Sequence, residues 1–405
     1  MYNEVHNTTK AFIEGSYIST ISTADAETGN VNVIAQDVAV KENSIYEQTL
    51  AGKDGKAKIS DGKEEIAERM GDEFDISGKS ELAGIDTSAA ETELNKNKAD
   101  NEKEESVDIY KLDEEGKTTG SSIITVAGGI AGTTGKGAGG AAVAITDIEN
   151  TYTAEVNYAD ITADELDVDA GSNSNIVTVA GGIGASAKGS GVGSVSWNDV
   201  DNTAKVNIKN SVVKAQSTTA TAANAAQIVS VGGQISVGGK AGVGAVLSYV
   251  GLDNSTEANI VNTTFDKRAD DETDGTSVKA EATNTSDSYN IGAGVSAAGT
   301  AAVSGTVVVT QTKGTAGAVM DGVTINNAKA VTANALDDTN ILSVIGSVAG
   351  AGTAAVGGGV SYTEIGGVSD VKEKAEQHVT AEINNSAINT CLLYTSDAAD
   401  DKARV

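Results

Sequence analysis

Acidic side chains hold most of the chemistry this sequence offers. The densest group is Asp270-Asp271-Glu272-Thr273-Asp274-Gly275, followed by Glu281. Asp270, Glu272, Asp274 and Glu281 approximate a calcium loop, in which alternate oxygens, a glycine turn and a closing glutamate surround a hard cation. Glu272 stands where Asp or Asn is usual, Ser277 stands where an apolar residue is usual, and no helical pattern flanks the loop. A solvated acidic turn is the competing reading. A second group comprises Asp160, Asp164, Glu165, Asp167 and Asp169. In a strand, Glu165, Asp167 and Asp169 share one face, because side chains alternate with period two. Such a face could hold a cation between neighbouring strands, or simply face water.

Other chemistries have less to work with. His6 and His378 are the only histidines, and neither has a Ser and Asp in matching context, so no nucleophilic triad is assigned. One cysteine, Cys391, excludes an internal disulfide and any zinc spacing. GxGxxG-like strings at 182–184 and 189–193 lack the helix that a phosphate cradle needs, and read as packing glycines. No catalytic residue and no cofactor site is expected, and the chain does not read as an enzyme. Trp197, Tyr249 and Tyr362 occupy related places, either as a ladder for a sugar or protein or as a stack inside the fold. A net charge of -29, from 57 acidic and 28 basic residues, argues against nucleic acid or an anionic membrane as partner. No apolar run reaches the length of a membrane span.

The elements that must position these residues repeat along the chain. Val177, Val179, Gly181, Ile183 and Ala185 alternate in a run that recurs at Ile124, Val229, Tyr289 and Leu342, with spacings of 53, 52, 60 and 53. Such a period marks stacked modules, each touching only its neighbours. Each module continues through a second β segment, such as Val192 to Trp197, and a third, such as Thr203-Ala204-Lys205-Val206. Polar, Asn- and Asp-rich turns, as at Gly171 to Asn175, are expected to close the modules. Aromatics at 3%, 47 glycines and no proline suit thin stacked sheets. The expected fold is all-β: a right-handed parallel β-solenoid of about five modules of roughly 52 residues, forming a stiff, elongated body. A long-hairpin antiparallel meander is the alternative, and the number of coils per module stays open. Gly181 and Gly233 are expected at close contacts between coils.

Residues 1–51 read as part of a preceding repeat, 121–390 as the array, and 52–120 as a charged insertion or linker, partly helical or disordered. Candidate helices there are Lys63 to Met70 and Thr87 to Glu105. A sixth copy is due near 395, but 391–405 reads as a non-native tail.

The segments IVTVAGGIGASAKGSGVGSVSW and ILSVIGSVAGAGTAAVGGGVSY resemble modules of large filamentous adhesins of Gram-negative bacteria. The style is that of the fusobacterial leukotoxin-type adhesins, filamentous haemagglutinins and autotransporter passengers. The resemblance spans about residues 121–390 and rests on no catalytic motif. It implies a cell-surface or secreted protein associated with the outer membrane and exported by a type V partner. It also implies attachment to a host-cell protein or glycan. A toxin passenger region and a self-associating biofilm protein are the competing functions.

Overall fold

A computed structural model describes residues 1–20, 29–36, 121–268, 275–366 and 378–390. Its secondary structure is all β, and every strand pairing is parallel, which removes the antiparallel meander. One module makes one wide coil. β7 (Glu165–Ser186) runs to a turn at 187–188, and β8 (Gly189–Lys209) returns in a second sheet. A corner leads to the three-residue β9 (Val212–Lys214). β10 (Ser217–Gly238) then lands on β7 with Ser217 beside Glu165 and Val229 beside Val177.

The other coils repeat this path. β4 (Ser121–Thr133), β5 (Gly137–Asn157) and β6 (Asp160–Thr162) precede it. β11 (Ala241–Val261), β12 (Thr264–Asp266), β13 (Thr276–Ala298) and β14 (Ala301–Asp321) follow it. β15 (Thr324–Ala351) fuses a short strand to a long one through a bulge, and β16 (Ala354–Ile365), β17 (His378–Asn384) and β18 (Ala387–Thr390) complete the stack. The first rung is laid down by β1 (Tyr2–Glu14), β2 (Tyr17–Ser19) and β3 (Val31–Gln36). The second and third β segments expected in each module are thus a single strand of 21 residues in β5, β8, β11 and β14, and two strands, β16 and β17, in the last. Val177 does lie between Ile124 and Val229, as the period requires.

The coil is wider than the described stack is tall. The 22 residues of β7 extend ~70 Å, while the six rungs from β1 to β16 span ~24 Å at about 4.8 Å per rung. The elongated body expected from the repeat is therefore, over these residues, a slab. At one end the short strand holds the two sheets apart. One residue per coil turns this corner with positive φ: Gly15, Tyr158, Asn210, Asn262, Gly322 and Asn385. Gly and Asn tolerate the left-handed region, which accounts for five of the six; Tyr158 adopts it without that help.

The interior changes character along the strands. Beside the short strands, the core is apolar and includes Tyr152, Val156, Ile161, Leu166, Ile208, Ile260, Phe265 and Met320. Next comes a polar band in which Asn7, Asn150, Asn202 and Asn254 form a ladder, each Nδ2 donating 3.0 Å to the next Oδ1. Ser172 and Ser174 face this band and donate to Asn202 Oδ1 at 3.3 and 3.1 Å. Gly171 to Asn175 is therefore mid-strand and not a turn; its polar residues are satisfied inside the coil. A small apolar cluster of Ile148, Val200, Leu252, Ile176, Ile228 and Val250 follows, then a second polar band around Asn198, Ser230 and Asn290.

At the far end a two-residue turn such as 187–188 joins the sheets, and they close together. A Cβ on Gly182 would meet Val192 Cγ1 at 2.6 Å, and one on Gly232 would meet Val246 Cγ1 at 2.8 Å. Gly244 gives up its side-chain volume to Gln234, whose carboxamide sits 2.1 Å from where a Cβ would be. The expectation for Gly181 and Gly233 is overturned: nothing lies within 4 Å of a Cβ on either. Their neighbours one residue along face inward, so the alternating Val/Gly/Ile run points away from the interior.

Three segments leave this framework. β3 and β4 both register on β7, at Gln36 beside Gly171 and Ser121 beside Ser174, so residues 37–120 depart from and return to one rung. Between β16 and β17 the chain leaves opposite Thr312 and returns opposite Thr315. The 60-residue spacing arises at a corner, where 267–275 replaces the two residues found at 163–164 and 215–216. The candidate helices within 63–105 and the tail 391–405 lie outside the described residues.

Candidate functional site

Two outward-facing surfaces emerge from this geometry. On the sheet of β5, β8, β11 and β14, parallel register stacks Tyr2, Ile145, Trp197, Tyr249, Val309 and Tyr362 in one column. Trp197 and Tyr249 stack with ring centroids 3.9 Å apart and planes 21° from parallel. The three aromatics noted in the sequence share one column on the outer face, which overturns the stack inside the fold. Only Trp197 and Tyr249 are adjacent, since Val309 separates Tyr249 from Tyr362. Trp197 presents 39% of its surface to solvent. Stacking rung on rung covers ring faces and leaves ring edges outward, which suits lateral contact with a partner better than stacking of a sugar ring.

A carboxylate strip borders this column. Asp147 neighbours Asp199 on the next rung, and Glu149, Asp201, Asp253 and Lys313 form the column beyond. Burial raises the Asp199 carboxyl above the ordinary aspartate range, and Asp147 and Asp253 add to the shift. Burial likewise raises Asp201, with Asp253 and Glu149 contributing and Lys313 opposing. Lys313 Nζ pairs with Asp253 Oδ2 at 3.0 Å. Gly251 continues the Asp147–Asp199 column with no side chain, where a Cβ would lie 2.5 Å from Asp199 Oδ1 and 2.8 Å from the Tyr249 hydroxyl. Burial, and then Asp199, raise the Tyr249 phenol.

The second surface is on the opposite sheet, at the glycine end. Five columns cross five rungs: Val177, Val179, Gly181, Ile183 and Ala185 on β7, with their partners on β4, β10, β13 and β15. Every one of these positions is Val, Ile, Leu, Tyr, Ala or Gly. Val126, Ile130, Leu342, Val344 and Val348 are the most open, at 44–70% exposure. The Gly128, Gly181, Gly233, Ala293 and Gly346 column lies between a ridge through Val179 and a ridge through Ile183, and the space above its glycines is open. Sequence alternation displays these residues in full, yet says nothing of which parity faces outward.

The residues proposed for metal binding are not brought together by anything described. Asp270, Glu272 and Asp274 lie outside the described residues. Glu281 sits within β13, where Lys279 Nζ pairs with Oε2 at 2.5 Å and Asn334 donates to Oε1 at 3.1 Å. Glu165, Asp167 and Asp169 share the outer face of β7, and Glu165 Oε2 accepts a hydrogen bond from Asn30 at 3.0 Å. Asp164 is drawn off to Arg268, 3.2 Å away, in a staple between corners of two different coils. Among the described residues, no three His, Cys, Asp or Glu side chains form a metal-binding group. His6 bridges two carboxylates, Glu4 at 2.6 Å and Glu149 at 2.9 Å, and His378 is exposed at the start of β17. Neither is held by a serine. Among the described residues no helix is long and apolar enough to cross a membrane. Comparison with known proteins finds no matching family model, no similar curated protein and no similar solved structure.

Proposed function

We propose that this chain is stalk from a surface-exposed or secreted bacterial adhesin, exported by a type V partner and attaching cells to a host protein or glycan. The observation that carries this reading is the preserved register across the excursions. β3 and β4 hold their places on β7 although residues 37–120 intervene, and β16 and β17 do the same on β14. A ladder that keeps register can display large insertions from its flank at little cost to itself, since loop closure grows only slowly with length. The excursions leave from opposite sheets but at the same distance along the strands, where the asparagine ladder crosses the interior. The stalk supplies rigidity, and the displayed segments and the Trp197–Tyr249 column supply contact.

The test compares the 405-residue chain with a variant in which a two-residue Gly-Ser link replaces 37–120. Both should keep a β circular dichroism spectrum, and only the intact chain should bind cultured epithelial cells or an immobilised glycan array. Absence of binding by the intact chain to either surface removes the attachment reading. Equal binding by both proteins moves contact from the excursion to the aromatic column, where Trp197→Ala with Tyr249→Ala decides.

A further inference from the structure

We propose that the outward Val/Gly/Ile field at the glycine end binds a second copy of this chain, the two fields packing dry against each other. The inference does not depend on the adhesin reading. The field has the relief of a self-complementary surface. Along the strand direction, columns alternate in bulk: the Val179 ridge, the Gly181 groove, the Ile183 ridge, then the Ala185 column, which is small except for Val237. Take a two-fold axis parallel to the stack, between the Gly181 and Ile183 columns. It places the Ile183 ridge of each copy over the Gly181 groove of the other, and the Val179 ridge over the Ala185 column. Rung meets rung at the same level, because both copies share one rung spacing. Interdigitated apolar columns of this kind form dry zippers between sheets.

Area and charge favour the same occupant. The four columns that overlap in this arrangement, Val179 to Ala185, cover ~650 Å² per copy at about 3.4 Å per residue and 4.8 Å per rung, close to the ~800 Å² that a stable interface buries on each partner. A field of that size exceeds the scattered apolar exposure normal for a solvated surface. It holds no charged residue, although the chain carries a net charge of -29. The two-fold arrangement sends the short-strand ends of the two copies in opposite directions, which separates their Glu165, Asp167 and Asp169 faces. It also brings the turn lysines Lys188 and Lys240 over the neutral Asn175 and Gln227 on the same rungs of the other copy.

Sedimentation of the 405-residue chain over a concentration series tests this. The expected result is a reversible dimer. Gly181→Ile with Gly233→Ile fills the groove outward into open space, so the β spectrum should persist while dimer affinity falls at least about tenfold, the equivalent of ~1.4 kcal/mol. Ile183→Ser with Ile235→Ser removes the ridge and should act in the same direction. A chain that stays monomeric throughout overturns the proposal. So does a dimer that both double variants form as tightly as the parent, since pairing would then use the ladder ends or the aromatic face. Flotation of monomer with neutral phosphatidylcholine vesicles, in place of dimerisation, would assign the field to lipid instead.

Discussion

The two ends of each coil solve opposite problems with the same strands. At the short-strand end, β6, β9 and β12 hold the sheets apart, and the space fills with Leu166, Ile208, Phe265 and Met320, in the ordinary manner of apolar inside and polar outside. At the two-residue-turn end, the sheets close until only Gly182, Gly184, Gly232, Gly292 and the side chains they accommodate fit between them. The apolar bulk then moves to the outer face, and serine, threonine and glutamine stay within. Inter-sheet distance, set by the number of residues at the bend, decides which parity of the alternation is buried. Hydrophobicity alone does not.

The sharpest way to break this contrast is to hollow out the open end. Phe265→Ala should destabilise by about 3–5 kcal/mol through lost burial and a residual cavity, read by urea denaturation, and a smaller loss would mean that the short-strand corner collapses readily. The closed end should respond to addition and not to removal. Gly182→Val should cost about 1–3 kcal/mol by driving a methyl into Val192, whereas Gly181→Val, one residue away, should change stability by less than about 1 kcal/mol. Equal effects from the pair would mean that the two faces are not distinguished by inter-sheet packing. Between the ends, Asn202→Leu should cost about 1–3 kcal/mol, because Asn254 Oδ1 loses its donor, Ser172 and Ser174 lose their acceptor, and Asn150 Nδ2 keeps only Ser174 Oγ, all within the buried interior. Hydrogen exchange should then rise in β5, β8 and β11 ahead of the remaining strands.

The smallest effect is electrostatic. Asp169, Asp199 and Asp201 have carboxyls raised chiefly by burial, so the folded state binds more protons than the unfolded one between the two pKa values. Stability from these groups should grow as pH falls from neutrality towards the unfolded aspartate value of about 4. Glu281 acts in the opposite sense: the Lys279 contact lowers its carboxyl, and the stability it adds is lost as pH falls through the folded value. The thermal midpoint should therefore rise on mild acidification and fall again in stronger acid, and a midpoint that drops steadily from neutrality would contradict the burial of the aspartates.

Much of this fold was legible in the sequence. The spacing of Ile124, Val177, Val229, Tyr289 and Leu342 fixed the coil length, and the stacking of these residues followed from it. Width was not legible, because a break in apolar pattern reads as a turn when it is an interior polar band: Gly171 to Asn175 crosses the core opposite Asn202. Facing was not legible either. In Val177-Thr178-Val179-Ala180-Gly181-Gly182 both parities are small or apolar, and only the distance to the opposite sheet separates them. The aromatic column was visible as a correspondence among Trp197, Tyr249 and Tyr362, but its outward placement depends on that same distance. Asp164 illustrates a further limit, since its partner Arg268 lies two coils away and no local pattern joins them.

One coil per module also sets an exchange rate between sequence and reach. Each further 52 residues lengthen the stack by only ~4.8 Å, less than a helical segment gains in four residues. Such a design is an expensive way to reach outwards. What each added coil contributes instead is breadth: a ~70 Å beam, bonded along its length to the coils on either side. Resistance to bending grows steeply with width, so this geometry suits a structure that must hold its shape under lateral load.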